Sequence, residues 1–370
     1  MQKRNFNMDE IRESFQIEGE YAGFYPSNYG HINNTFIVNF EQKPGEAKSY
    51  VLQEINTSVF KDPVALMENI VNVTAYLSKI IAENGGDPQR ETLNVFPAKD
   101  GKSFYLDADG RYWRLYNYIS DSYTCQTVGD PRIFYNAAKA FGRFQCMLSD
   151  YPSHTLHETI PNFHHTPSRL NDLKTAVEMN LSGRAANVRR EIEFALERES
   201  DAGMLVGLLE KGELPLRVTH NDTKLNNVMF DNGTDEGVCV IDLDTVMPGL
   251  SLYDFGDSIR FGAATAEEDE QDLSKMTMSL ALYEQYAKGY IESAGKILTE
   301  NEIKYLPFSA KLMTYECGTR FLTDYLNGDT YFRTAYGDHN LTRCRTQFKL
   351  VSDMEKMIDS MTEITERCVN

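Results

Sequence analysis

A change of pattern near Ser120 constrains the fold of this chain more than any other feature. Before it, short runs rich in β-branched and aromatic residues alternate with turns: Gly23-Phe24-Tyr25, 34–40, 49–53, 102–106 and 111–119. Pro26-Ser27-Asn28-Tyr29-Gly30, Pro44-Gly45 and Asp107-Ala108-Asp109-Gly110 punctuate them, as antiparallel strands require. One helix interrupts the strands. Asp62 and Pro63 supply its N-cap and first position, Leu66, Ile70, Val73, Leu77 and Ile81 recur on one face, and Gly85-Gly86 ends it. After Asp121 the period becomes helical over 131–148, 170–179, 188–212, 273–291, 300–325 and 342–368. The pattern predicts an α+β, bilobal chain with a small five-stranded antiparallel β lobe over 1–119 and a larger, mainly helical lobe over 120–370.

A length of 370 residues exceeds what one growing core accommodates, so a cleft between lobes is expected. The net charge of −18 excludes a broad nucleic-acid footprint or an anionic membrane surface, which need clustered Lys and Arg. An anionic ligand would have to meet local devices: a metal ion, backbone amides and a few placed cations. The cysteines (Cys125, Cys146, Cys239, Cys317, Cys344 and Cys368) are scattered without a C-x-x-C pair, as in a reducing compartment. Met1 to Glu20 lacks an apolar leader segment, and no run of about 18 apolar residues occurs. A soluble, cytoplasmic protein is expected.

One β-rich stretch survives in the helical half, and it carries the chemistry. Leu216 to Thr219, Asn227 to Phe230 and Val238 to Ile241 read as short strands, with Thr219-His220-Asn221-Asp222-Thr223-Lys224-Leu225-Asn226-Asn227 joining the first two. Phosphoryl transfer needs a carboxylate for the attacking hydroxyl, a cation near the moving group and oxygen ligands for magnesium. Asp222, Lys224 and Asn227 provide these types. The offset from Asp222 to Asn227 equals that between the catalytic Asp and the metal-binding Asn of protein-kinase loops, and Asp242, ending the next strand, is the companion metal ligand. A polar hairpin is the bland alternative, and the joint spacing of four residues argues against it. The literal Asp254-Phe255-Gly256 has no strand leading into it and is read as a brace or helix cap.

Tyr29-Gly30-His31-Ile32-Asn33-Asn34-Thr35 could lay amides over nucleotide phosphates, making Gly30, His31, Asn33 and Thr35 candidate contacts. Tyr116 and Tyr118, at the lobe boundary, could offer backbone groups to an adenine. His154, His157, His164 and His165 match no zinc spacing and are read as a surface loop or substrate-side lid.

At the loop from His220 to Asn227 and at Ile241-Asp242 the sequence resembles the aminoglycoside phosphotransferase and choline kinase superfamily. Within it, the chain is most similar to bacterial N-acetylhexosamine 1-kinases, through Tyr29 to Asn33, Arg217 to Asn227, Ile241 to Thr245, Asp254 to Gly262 and Glu316 to Phe321. The resemblance implies a bilobal, protein-kinase-like fold and transfer from ATP, with magnesium, to the anomeric hydroxyl of N-acetylglucosamine or N-acetylgalactosamine. One departure stands out: where the superfamily commonly puts a third-strand Lys or Arg, this chain has Gln53, leaving Glu68 without its usual partner. Sugar recognition calls for hydrogen-bonding groups and an aromatic face, so His31, Trp113, Asp222, Asp244, Arg320 and Tyr325 are the candidates. Another hexose, homoserine, choline or an aminoglycoside is the rival acceptor, with Glu267-Glu268-Asp269-Glu270 available to a cationic one; a pseudokinase is the non-enzymatic alternative.

Overall fold

The computed structural model describes residues 6–27 and 32–369. The small lobe runs through α1 (Met8–Glu13), β1 (Glu20–Pro26), β2 (Asn34–Lys43), β3 (Glu46–Glu54), α2 (Pro63–Glu83), α3 (Pro88–Glu91), β4 (Val95–Phe96), β5 (Tyr105–Leu106) and β6 (Tyr112–Asn117). Its sheet has six strands in the order β1-β2-β3-β6-β4, with β5 also on β6, against the five expected. The addition is β4, two residues opposite Tyr116 and Leu115 and too short to display an alternating pattern.

Side-chain alternation divides this sheet into two functional faces. Val38, Phe40, Tyr50, Leu52, Trp113 and Leu115 form a core with Met8, Ile11 and Phe15 of the N-terminal segment. Thr35, Gln53 and Arg114 lie in register across β2, β3 and β6 on the other face. α2 starts as expected: the Asp62 side chain accepts from the Val64 and Ala65 amides, and Pro63 opens the first turn. Among the described residues it is the one helix long and apolar enough to cross a membrane. Its Leu66, Met67, Ile70, Val73, Leu77 and Ile81 are instead buried in the larger apolar core, shared with the helices of the second half.

That second half holds β7 (Ser122–Tyr123), α4 (Pro131–Met147), α5 (Thr166–Met179), α6 (Arg189–Leu196), α7 (Glu199–Ala202), α8 (Met204–Glu210), β8 (Arg217–Thr219), β9 (Val228–Asp231), β10 (Gly237–Val240), β11 (Met247–Gly249), α9 (Ser251–Gly262), α10 (Leu280–Ala294), α11 (Glu300–Leu326) and α12 (His339–Val369). The helix expected over 188–212 is three short ones. Arg198 turns back to the Phe194 carbonyl and to Glu355 on α12, and Gly203 separates the last two pieces. Two small sheets, β10-β9-β7 and β11-β8, sit among the helices and carry the loops of the candidate site.

Candidate active site

Local sequence shapes the loop after β8. Asn221 adopts a left-handed backbone (φ 65°), which Asn tolerates better than most residues, and turns the chain sharply after His220. Buried α9 carboxylates hold the turn: Asp254 accepts from the amides of His220 (3.0 Å) and Asn221 (2.7 Å), and Asp257 from that of Thr223 (3.1 Å). Gln145 of α4 donates to Asp254 in turn. Asp254 thus braces the loop. The buried His220 ring accepts the Asp222 amide at Nδ1 and donates from Nε2 to the Ile241 carbonyl, tying the loop to the end of β10.

Asp222 then projects beside Lys224, Oδ1 to Nζ 2.8 Å. Burial alone would raise the Asp222 carboxyl, but the Lys224 charge beside it holds it below the usual carboxylate range. The Asp222 charge, in turn, keeps Lys224 protonated well above its ordinary value. Asn227 donates its amide to the Asp222 carbonyl at 2.8 Å, and no hydrogen bond to its Oδ1 occurs among the described residues. Asp242, also left-handed (φ 59°), is pushed up to about 6 by burial and then by the charges of Asp244 and Asp222.

These residues fit magnesium. Crowding of carboxylates around Asp242 is the situation a divalent cation relieves, and the Asp242 carboxylate and Asn227 Oδ1 are both hard-oxygen donors. Among the described residues no group of three or more His, Cys, Asp or Glu side chains converges as a cage. A cation held here would complete its shell with water and substrate oxygens, as magnesium does.

Above this floor, Gln53 donates to Thr35 Oγ1 (3.0 Å) and accepts from Arg114 Nε (3.0 Å). Arg114, 1% exposed, forms a bidentate pair with Asp244, whose Oδ2 also accepts from Asn33 at 2.7 Å. Asp244, expected at the substrate, is therefore committed to joining the two halves of the molecule. The Tyr116 backbone lies between Val51 and Val95 in the sheet, and its side chain, on the Arg114 face, is buried. Tyr118 follows the strand and is exposed. Gly30 and His31 fall outside the described residues.

Two substrate expectations require correction. Trp113 is fully buried on the opposite face of the sheet, against Phe6 and Phe36, with Nε1 donating to Asp107 at 2.9 Å; it has no face for a sugar. Tyr325, also buried, sits near the far end of α11 with its ring under Arg184 and its hydroxyl on Asp338. Arg320 is better placed. It packs against Phe163, Tyr331 and Phe332, one turn along α11 from Glu316.

Glu316 belongs to a group that the sequence pattern missed. The buried His164 ring spans Glu316 Oε1 (Nδ1, 2.8 Å) and the Asn221 carbonyl (Nε2, 2.8 Å), while Thr166 donates to Glu316 Oε2 at 2.6 Å. His164 is thus a buried strut, in contrast to the surface loop expected. His157 does lie near the surface, paired with Glu68 at 2.7 Å, which gives that glutamate its partner.

The sequence model of the APH phosphotransferase enzyme family matches residues 103–288, just over half of the chain. Solved structures share the fold. An aminoglycoside phosphotransferase from Alicyclobacillus acidocaldarius subsp. acidocaldarius DSM 446 superposes with a TM-score of 0.61 at 11% identity, over 99% of this chain and 98% of that one. A microcompartment-associated aminopropanol kinase gives 0.56 at 15% identity, over 95% and 96%. An amicoumacin kinase solved with AMP-PNP, Ca2+ and Ami gives 0.51 at 14%, over 97% and 90%.

Proposed function

The chain belongs to the APH phosphotransferase enzyme family, and from that membership we propose an ATP- and magnesium-dependent kinase that phosphorylates the anomeric hydroxyl of an N-acetylhexosamine. The observation that carries the phosphotransfer reading is one braced loop that sets Asp222 beside Lys224 and Asn227, with the Asp222 charge felt at Asp242. Asp222, ionised at neutral pH, accepts the acceptor hydroxyl, orients its oxygen at the γ-phosphorus and takes its proton as the new P–O bond forms and the bond to the β-phosphate oxygen breaks. Lys224 stays cationic beside it and steadies the phosphoryl oxygens. Asn227 and Asp242 would hold magnesium, which when bound supplies the positive charge that the triphosphate needs.

The neighbourhood of Arg320 supports a neutral sugar. A guanidinium framed by aromatic rings can donate to acetamido or hydroxyl oxygens beside apolar ring faces. A cationic acceptor, as the names of the aminopropanol kinase and aminoglycoside phosphotransferase suggest, wants free carboxylates. In the acidic run, Glu268 is on Arg260, Asp269 on His339 and Glu270 on Lys275. The six thiols are unpaired, as suits the cytoplasm.

Acceptor-dependent ADP release, measured over N-acetylhexosamines, other hexoses, amino alcohols, homoserine and aminoglycosides with magnesium present, tests the reading. A sugar 1-phosphate product is expected, and Asp222→Asn should lower kcat by about 10²–10⁴-fold with the melting temperature kept. Phosphate found on a non-anomeric oxygen would remove the 1-kinase assignment alone, and no acceptor-dependent ADP at all would remove the kinase.

A further inference from the structure

Nucleotide triphosphates carry several negative charges, and kinases of this architecture bring a third-strand cation to them. Here that position is Gln53. We infer that Arg114, on the neighbouring strand β6, supplies the missing phosphate-binding cation, with the Tyr116 hydroxyl as a second donor. This inference rests on the nucleotide-binding half of the kinase reading and is independent of the acceptor.

Register makes the substitution possible. Gln53 of β3 is directly opposite Arg114, and neighbouring strands lie about 4.8 Å apart, within the reach of a single long side chain. Gln53 also steers the guanidinium, accepting from Nε while its own amide is fixed on Thr35. The row Thr35–Gln53–Arg114 thus delivers a charge from β6 to the part of the cleft normally served by β3.

The donor count leaves room for a ligand. A guanidinium has about five N–H donors. Nε serves Gln53 and one N–H of each terminal nitrogen serves Asp244, so two remain without a partner among the described residues. Tyr116 is the independent sign. Its ring lies under Arg114, 5.1 Å from centroid to the guanidinium carbon, and its hydroxyl is buried with no hydrogen-bond partner. An orphaned buried hydroxyl is costly, and it stays this way where a ligand completes it. A purely structural ion pair explains neither the two open N–H groups nor this hydroxyl.

The test is equilibrium binding by calorimetry of ADP, AMP-PNP and adenosine, with and without magnesium, alongside melting temperatures. Tyr116→Phe removes no internal hydrogen bond, so its fold should be as stable as wild type. Its affinity for ADP and AMP-PNP should fall about three- to tenfold, with adenosine unaffected. Arg114→Gln should weaken the phosphorylated ligands about tenfold or more and leave adenosine bound as before. Because Arg114→Gln strands Asp244, the double variant Arg114→Gln/Asp244→Asn keeps charge balance and should show the same selective loss. Moving the cation back, Gln53→Lys with Arg114→Gln, should recover most of the ADP affinity. Equal weakening of adenosine and ADP, or unchanged ADP binding in both Tyr116→Phe and the balanced double variant, overturns the assignment while leaving the kinase intact. Failure of the wild type to bind ADP would bring down both.

Discussion

His164 is tied to the loop that presents Asp222 through the carbonyl of the preceding residue. Its two ring nitrogens meet two acceptors, the Glu316 carboxylate and the Asn221 carbonyl, in a site where all three residues are buried. Burial would raise the Glu316 carboxyl; the imidazole charge and the Thr166 hydroxyl hold it below the usual range instead. The Asn221 carbonyl is one peptide from Asp222, and Asn221 already sits in an unfavourable backbone region. Removing the strut therefore frees the turn that aims the carboxylate. His164→Ala is expected to cost about 3 kcal/mol of stability by leaving a buried carboxylate half-partnered. At temperatures well below its melting point, kcat should drop at least tenfold while the KM for ATP changes little, because the loop and not the nucleotide ceiling is loosened. Steady-state kinetics with a melting curve checks both. An unchanged kcat would reduce His164 to packing alone.

Among the elements, α9 is the one on which the site depends most. It presents Asp254 and Asp257 on one face, three residues apart, to the amides of the catalytic loop, and Ser258 donates to the Thr223 carbonyl. α9 can approach α11 because of Gly256: a Cβ there would lie 2.5 Å from the Ser309 carbonyl oxygen and 2.6 Å from Met313 Cγ. Gly256→Ala should thus destabilise the protein by about 1–3 kcal/mol and, by pushing α9 off α11, lower kcat as well. Thermal unfolding and turnover, measured together, should move in the same direction; a stable, fully active Gly256→Ala would contradict the close packing. The helix itself was not legible in the sequence. Ser251-Leu252-Tyr253-Asp254-Phe255-Gly256 mixes aromatics, a turn-forming Asp and a glycine, so local preference is weak and tertiary packing decides. By contrast, α2 announced itself through Asp62, Pro63 and a clean apolar stripe, and β8 to β10 through short β-branched runs ending in polar loops. Spacing along the chain singled out Asp222, Lys224, Asn227 and Asp242 as candidates because they are near in sequence. Arg114 escaped notice, and His164 and Glu316 were named without the contact that joins them, because these partners meet across 130, 57 and 152 residues of chain through contacts no pattern encodes.

At the scale of the whole molecule, the apolar core does not divide where the chain changes character. One core lies behind the small sheet, around Phe40, Leu52 and Trp113; the other is continuous from Ile55 and α2 through to Ile364 of α12. Polar ties follow the same path. Asn69 of α2 donates to the carbonyls of His157 (2.8 Å) and Val246 (3.2 Å) and accepts from the His157 amide, while Arg90 reaches the Ser120 carbonyl and Asp231. α2 therefore belongs by packing to the helical half, although it precedes the connecting strand in sequence. Each of its six fully buried apolar side chains is worth about 1.5–3 kcal/mol, so exposing even half of that surface rivals the whole net stability of an ordinary domain, about 5–15 kcal/mol. Residues 1–119 produced alone should then fail to fold cooperatively, giving a broad circular-dichroism melt and poorly dispersed amide resonances, whereas the full chain should unfold in one main calorimetric transition. A sharp, reversible melt of the 1–119 fragment would mean that the small core suffices by itself, with α2 merely resting on its neighbours. If the expectation holds, the cleft between the halves is bounded on the α2 side by a fixed wall. Closure over a nucleotide would then come from the sheet moving relative to α2, with Asn33 and Arg114 meeting Asp244 as the contacts that register the closed position.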